Sequence, residues 1–290
     1  MSRPTILMLH GAGAKPAAVE LEALWFDALS AGLERDTKHA KRLADVNTSL
    51  FYYADHSTPA EPAQAALDLD DRHACLADLK SRRKAREFRR RYYDELPGKT
   101  PVGEFVADVS SALGLGKTFL RRRVPDLMRY LEDETFAGSL RASLEAWLTP
   151  HLQQQAPLLI VSHCMGAVLA FEALCSAQQG PACEVSLLTM GAPLASNVVK
   201  SSLSARSSVT PAGLTHWYNV AAEDDYVCHD KSVADDYKVL LDDKRVAHIE
   251  DFTIYNLALR FEKSNPHHAS GYLIHPRVAQ LVGDWLKAAT

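Results

Sequence analysis

The chain has 290 residues, of which 47% are hydrophobic and 23% are charged, and its formal net charge is -4. This length and apolar content allow one or two domains with a large core. The small negative charge excludes a general electrostatic attraction to nucleic acid or to anionic membranes. No apolar run approaches the roughly 20 residues that a membrane-spanning helix needs, so we expect no integral membrane segment.

The chain contains five cysteines, an odd number whose spacing fits neither a zinc site nor a disulfide framework. Zinc is therefore not expected, and we predict no metal and no other cofactor. The apolar run at 5–9 is too short for a signal peptide and reads as a core strand. Reduced thiols and a cytoplasmic location are the simplest expectation. The sequence does not indicate an oligomeric state.

Short apolar runs alternate with stretches of helical periodicity along most of the chain. Runs rich in apolar or aromatic residues predict strands over 5–9, 49–54, 158–161, 185–190 and 215–220, and a further strand is predicted over 248–254. Helical spacing of apolar residues predicts helices over 19–33, 139–155 and 277–286, the last with Pro276 near its first turn. Such alternation favours an α/β class with a doubly wound, mostly parallel sheet.

Residues 56–137 interrupt this alternation. Residues 80–91 hold eight Lys and Arg residues and a single acid, Glu87. We interpret 56–137 as a mostly helical insert, and 1–55 with 138–290 as the core domain. The basic run could track phosphates. A solvated helix face is the simpler interpretation, so we predict no nucleic-acid partner. A small-molecule acyl substrate that is acidic or phosphorylated is a further option.

The strongest functional signal lies at 158–170. A buried strand is predicted first and a helix afterwards, and the turn Ser162-His163-Cys164-Met165-Gly166 joins them. This is the layout of a nucleophile elbow, a strained strand-to-helix turn that presents one nucleophile. The usual pattern is Gly-x-Ser-x-Gly, so Cys164 stands in the serine position. A helix N-terminus and a neighbouring imidazole both favour the thiolate form of a cysteine.

On this elbow, and on further segments in the expected order, the chain resembles the α/β-hydrolase superfamily, in particular its lipase- and esterase-like members. The turn His10-Gly11-Ala12 is similar to the family's His-Gly turn. The run Gly191-Ala192-Pro193-Leu194 is similar to a structural turn that follows the strand after the elbow. The resemblance spans the whole length apart from 56–137, which it implies to be a cap or lid. It implies the fold and the machinery but not the substrate.

The resemblance implies an oxyanion hole made of two backbone N–H groups, those of Met165 and Ala12. His10 is expected to hold the turn. The acid should follow a late strand, where 219–228 fits the family pattern with Asp225 in the role and Asp224 as the next choice. An exposed acidic loop is the alternative, because several further acids follow nearby.

The resemblance implies that the base lies in the loop before the last helix. The segment 265–276 is similar to that histidine loop of the family. Three histidines compete there. His275 adjoins Pro276 at the helix start and is expected to face the wrong way. We favour His267 slightly over His268, and the spacing leaves both open. The order of nucleophile, acid and histidine agrees with that expected for this fold.

The leading hypothesis is an acyl hydrolase, an esterase or thioesterase, that acts through a Cys-His-Asp triad and an acyl-thioester intermediate. An acyltransferase on the same scaffold is the first alternative. A weakly active enzyme in which Cys164 has replaced a serine is the second. A catalytically silent protein that uses the fold for binding is the third.

Overall fold

The computed structural model describes residues 3–56, 115–177, 182–206, 210–223, 225–260 and 263–290. The basic run at 80–91 and Asp224, which sequence reasoning singled out, therefore lie outside the described residues.

A six-stranded sheet forms the centre of the molecule, and all its neighbouring strands are parallel. The strands are β1 (Thr5–Leu9), β2 (Asn47–Phe51), β3 (Leu158–His163), β4 (Val185–Met190), β5 (Leu214–Ala222) and β6 (His248–Ile254). Their order in the sheet is β2-β1-β3-β4-β5-β6. A short antiparallel pair, β7 (Leu259–Arg260) and β8 (Lys263–Ser264), stands apart.

Helices connect the strands, as parallel pairing requires. They are α1 (Ala18–Asp36), α2 (Leu115–Arg123), α3 (Pro125–Glu132), α4 (Glu134–Leu152), α5 (Met165–Ser176), α6 (Asn197–Arg206), α7 (Val233–Asp236), α8 (Lys238–Asp242), α9 (Ala269–Leu273) and α10 (Pro276–Ala289). The predicted α/β class with a parallel sheet is confirmed.

Apolar side chains cover both faces of the sheet. Along β1, Leu7 and Leu9 belong to one buried cluster, whereas Ile6 and Met8 belong to the other. Residues of α1 and α10 complete the second cluster, and residues of α3, α4 and α5 complete the first. The central strands β1, β3 and β4 are buried along their whole length, which explains why they appear in the sequence as mostly apolar runs.

The second strand lies earlier than predicted. It covers Asn47–Phe51 rather than 49–54, because its register pairs Asn47 with Thr5 and Phe51 with Leu9. The strand thus ends level with β1. The aromatic residues that suggested a longer strand turn away, and the backbone N–H of Tyr53 donates to Nε2 of His10 at 3.0 Å.

The described end of the predicted insert packs onto the rest of the protein. Leu120, Val124, Leu127 and Tyr130 belong to the same buried cluster as the sheet residues Leu7 and Leu9. The helix predicted at 139–155 begins earlier, at Glu134, where Oδ1 of the N-cap residue Asp133 accepts from the N–H of Phe136 at 3.1 Å. The amino-acid composition changes near 137, but the residues on both sides of this position pack into the same buried cluster.

The sheet order locates a crevice. In the sheet, β2 lies on one side of β1 and β3 lies on the other side. The connections that leave β1 and β3 therefore run in opposite directions along the sheet, and the strand order reverses between these two strands. In parallel sheets, ligands bind at the carboxyl ends of the strands at such a switch point. The turns that follow β1 and β3 meet there.

Candidate active site

A single residue joins β3 to α5. The strand ends at His163 and the helix starts at Met165, which leaves Cys164 between them with φ 52° and ψ -121°. A non-glycine residue rarely adopts this conformation, and proteins keep it mainly at functional sites. The N–H of Cys164 donates to Met190 O at 3.0 Å, and its carbonyl accepts from Ala167 N at 3.1 Å. Hydrogen bonds on both sides therefore hold the strained turn.

Gly166 lets α5 start close to the end of β1. A Cβ atom at this position would lie 2.4 Å from the carbonyl oxygen of His10 and 2.5 Å from that of Leu9. Both obstacles are backbone atoms, which cannot rotate away. The close approach brings Cys164 next to the turn that follows β1.

We expect Gly166→Ala to destabilise the protein by about 1–3 kcal/mol, since the overpacking outweighs the better helix propensity of alanine. Gly138→Ala is the matched control, because Gly138 also lies in a helix and a Cβ there would meet only the Arg141 side chain at 4.0 Å. That variant should gain up to about 1 kcal/mol. Urea melts of the two variants measure the difference, and equal stabilities would contradict the close contact.

His267 contacts Asp225 and Cys164. Its Nδ1 lies 2.8 Å from Oδ2 and 3.0 Å from Oδ1 of Asp225, whose side chain is fully buried just after β5. The imidazole of His267 also interacts with the Cys164 thiol, and both side chains line the same cavity. Since Nδ1 faces the carboxylate, Nε2 is the nitrogen left for the sulfur. Acid, imidazole and thiol thus form one continuous chain of contacts.

The charges around His267 favour its protonated form. Burial by itself would lower the pKa of His267, but the interactions with Cys164 and then Asp225 raise this pKa well above its usual value. An imidazolium beside a thiol is the arrangement that favours a thiolate–imidazolium pair.

The other two histidines of this loop have different places. His268 is the N-cap residue of α9, and its Nδ1 accepts from the N–H of Ser270 at 3.3 Å. His275 is fully buried and its Nδ1 accepts from the N–H of Arg277 at the start of α10. Burial, followed by the charges of Arg35 and Arg277, lowers the pKa of His275 to about 3. The structure therefore brings His267, and neither His268 nor His275, to Asp225.

Hydrogen bonds of His10 orient the turn after β1. Its Nε2 accepts from Tyr53 N, so the ring proton is on Nδ1, which donates to Gly11 O at 2.7 Å. Burial, and then Lys15, lower the pKa of His10 to about 3, so the ring is neutral. In a trans peptide the N–H points opposite to the carbonyl. The N–H of Ala12 therefore points away from the His10 ring.

Asp126 and Lys15 hold the same turn from outside. Oδ2 of Asp126 accepts from the N–H of Gly13 at 2.9 Å, and Nζ of Lys15 donates to Ala12 O at 2.6 Å. Sequence reasoning missed Asp126, which lies 113 positions from Gly13 at the start of α3. A carboxylate in the first turn of a helix has a common local explanation, so no signal in the sequence pointed to this contact.

The N–H groups of Ala12 and Met165 have no hydrogen-bond partner among the described residues. They lie in the turns that flank Cys164. The described residues around this sulfur form a cavity of about 140 Å³, and its lining includes Gly11, Ala12, Lys15, His163, Cys164 and His267. Cys164 is 2% exposed, so this cavity is its route to a ligand.

A larger cavity of about 420 Å³ lies between α4 and α5 and contains none of the predicted site residues. Leu148 and Leu169 are typical of its lining. Among the described residues, no group of three side chains is suited to hold a metal ion. Within the same residues, no helix is both long enough and apolar enough to cross a membrane.

The first described helix after 114 borders the site. The ring of Phe119 lies 5.0 Å from that of His229 and 6.2 Å from that of Tyr226, and the guanidinium of Arg123 lies 5.0 Å from the centre of the Tyr226 ring. The Tyr226 ring is in turn 6.1 Å from that of His267. The helix α2 therefore packs against the loop that carries Asp225.

No protein-family model matches this chain, and no curated protein is similar to it. The fold defines the class as an α/β protein with a six-stranded parallel sheet. The site at the carboxyl ends of its strands combines a thiol, an imidazole and a carboxylate in contact.

The thiols of the described residues differ in their surroundings, which leads to a test. Burial, and then Glu172, raise the pKa of Cys175 to about 12, and burial also raises the pKa values of Cys183 and Cys228. We expect iodoacetamide at neutral pH to label Cys164 first, because Cys164 is the one of these four cysteines that lies beside an imidazolium. Peptide mass mapping after a brief exposure measures the order. Equal labelling of the cysteines would contradict the thiolate–imidazolium pair.

Proposed function

We propose that this protein is an acyl hydrolase, an esterase or thioesterase, with an α/β-hydrolase-like fold. Cys164 is the nucleophile, His267 the general base and acid, and Asp225 the residue that orients His267. The observation that carries the proposal is the continuous contact from Asp225 through His267 to Cys164, at a strained turn at the carboxyl end of β3.

In the proposed reaction the Cys164 thiolate attacks the acyl carbon, and the carbonyl electrons move onto the oxygen. The N–H groups of Ala12 and Met165 are the donors for this oxyanion, and losing one such donor costs roughly 3–4 kcal/mol of transition-state stabilisation. When the intermediate collapses, the bond to the alcohol or thiol breaks, and His267 gives its proton to the leaving group.

Water then enters for the second half of the reaction. His267 takes a proton from the water as its oxygen attacks the thioester carbon. The carbon–sulfur bond breaks, the carboxylic acid leaves, and Cys164 returns as a thiolate beside the imidazolium. Asp225 keeps Nδ1 of His267 protonated throughout, so that Nε2 is the nitrogen that exchanges protons with sulfur, water and leaving group.

The size of the cavity supports a short acyl group. About 140 Å³ is well below the roughly 300–1,000 Å³ of pockets that bury drug-sized ligands. The contact of α2 with the Tyr226 loop supports the idea that the predicted insert covers the site as a cap.

A panel of p-nitrophenyl esters and acyl-coenzyme A thioesters, with acyl chains from acetyl to decanoyl, tests the proposal. We expect turnover of the short members and a mass increase on Cys164 that equals one acyl group. An amine or alcohol offered as a competing acceptor separates hydrolysis from acyl transfer. Absence of both turnover and acylation across the panel would refute the proposed function.

A further inference from the structure

Tyr272 makes the shortest hydrogen bond to Asp225. This residue lies on α9 and is fully buried, and its hydroxyl oxygen is 2.6 Å from Oδ2 of Asp225. The same oxygen accepts from the N–H of Ala222 at 2.9 Å. An amide N–H can only donate and a carboxylate can only accept, so the hydroxyl proton goes to Asp225. Burial, followed by Cys228 and Asp225, raises the pKa of Tyr272 well above its usual value, so this proton is retained.

The surroundings of Asp225 are shaped for this contact. Gly191 has φ 54°, and a Cβ atom there would lie 2.8 Å from Oδ2 of Asp225 and 3.1 Å from the Tyr272 hydroxyl oxygen. The Asp225 carboxylate and the Tyr272 hydroxyl thus occupy the space that a side chain at position 191 would fill. On the other side, Oδ1 of Asp225 accepts from the N–H of Val227 at 2.9 Å. Oδ2, which is the oxygen nearer to His267, is the one that Tyr272 holds.

We propose that Tyr272 is a positioning residue, which keeps Asp225 aimed at His267 and, by drawing charge from the carboxylate, sets how strongly the Asp225–His267 pair holds its proton. The inference rests on the proposed function only in calling this pair catalytic. The contacts themselves do not depend on any substrate.

The direction of the effect follows from the charges. Without its proton the pair is a carboxylate beside a neutral imidazole, and with its proton the imidazolium already neutralises the carboxylate. A donor to the carboxylate therefore stabilises the deprotonated pair more than the protonated pair. Removing the hydroxyl should raise the pH at which the pair loses its proton. The substitution leaves the surrounding titratable groups Lys15, His163, Cys164, Tyr226, His229 and His268 in place. Cys228 is affected directly, because its Sγ lies 4.0 Å from the Tyr272 hydroxyl oxygen, and this hydroxyl offsets part of the rise that burial causes in the pKa of Cys228.

The rate of Cys164 alkylation by iodoacetamide, measured as a function of pH, reports the pH at which the Asp225–His267 pair loses its proton, and it needs no substrate. In the wild type we expect the rate to rise in two steps, the first as the thiol loses its proton and the second as His267 loses its own. Tyr272→Phe should move the upper step to higher pH by about half a unit to one unit, the order of effect of one hydrogen bond to a charged group. Turnover of a short ester should fall about 10- to 100-fold through kcat rather than KM.

Tyr237→Phe is the matched control. Tyr237 is also buried, and its hydroxyl donates to the backbone oxygen of Leu194 at 3.0 Å, away from the pair. This variant loses one buried hydrogen bond of a tyrosine hydroxyl, and thermal melts of both variants record how much stability each one loses. Both steps of its alkylation profile should stay in place. A purely structural role of Tyr272 would make the two variants behave alike.

A second measurement keeps the fold untouched. Replacement of tyrosine by 3-fluorotyrosine throughout the chain makes the Tyr272 hydroxyl a stronger donor, so the upper step should move to lower pH in the wild type and stay unmoved in Tyr272→Phe. The proposal is overturned if the upper step of Tyr272→Phe stays in place or moves down, if Tyr237→Phe moves it equally, or if the wild type shows a single step. Failure of every ester would instead refute the proposed function and leave this readout intact.

Discussion

Cys164→Ala is expected to lower turnover of any acyl substrate by about 10⁴- to 10⁶-fold while the protein stays folded. The substitution removes the sulfur and keeps the backbone turn, whose hydrogen bonds to Met190 O and from Ala167 N do not involve the side chain. Initial rates on the best short ester and a circular-dichroism melt measure the two expectations. Cys175→Ala makes the same chemical change on α5, away from the cavity, and should leave turnover unchanged.

Cys164→Ser separates the role of the sulfur from the role of the site. A serine fits the same turn, since elbows of this kind usually carry one. We expect this variant to keep measurable activity on oxygen esters, because His267 is in place to act as its base. Unchanged turnover in Cys164→Ala would remove the covalent mechanism, whatever the serine variant does.

His267→Ala should lower turnover by about 10⁴-fold or more, because it removes the group that links the thiol to the carboxylate. The neighbouring His268→Ala provides the sharpest comparison available in this chain. That variant loses an N-cap hydrogen bond at α9, typically worth about 1 kcal/mol of stability, and should keep turnover within about tenfold of the wild type.

Steady-state rates on one short ester, together with melts of both variants, decide between the two histidines. The adjacent substitutions change the same number of atoms in the same loop, so a general loosening of that loop would affect them alike. A larger loss in His268→Ala than in His267→Ala would contradict the assignment of the base.

Much of the fold could be predicted because buried parallel strands have a simple pattern. The strands β1 and β4 begin and end where their apolar runs predict, since all of their residues are buried. The predicted bounds of β6 also match, although this strand lies at the sheet edge and is partly exposed. The strand-to-helix turn at Cys164 was predictable for a similar reason, because Gly166 and the change from strand to helix are local features. The edge strand β2 was placed too late, since its ends depend on the register with β1 rather than on its own composition.

Other features depend on contacts between distant residues and have no local pattern. The choice between His267 and His268 depends on how the loop enters α9, where one histidine caps the helix and its neighbour reaches Asp225. The contact of Tyr272 with Asp225 spans 47 positions, and that of Asp126 with Gly13 spans 113. An aromatic residue such as Tyr272 in a short helix is usually explained by packing alone, and an acid such as Asp126 in the first turn of a helix is usually explained by the helix dipole. Neither contact could therefore be anticipated from the sequence.

The bond from Asp126 to the Gly13 amide bears on how this protein can be recombined. A chimera that exchanges residues 57–114 for a foreign segment retains Asp126 and the apolar residues of α2 and α3, and with them the orientation of the Ala12–Gly13 peptide. A chimera whose crossover is drawn at 137, where the composition changes, would discard all of them. The safe junction for grafting therefore lies before Leu115, more than twenty residues upstream of the compositional border.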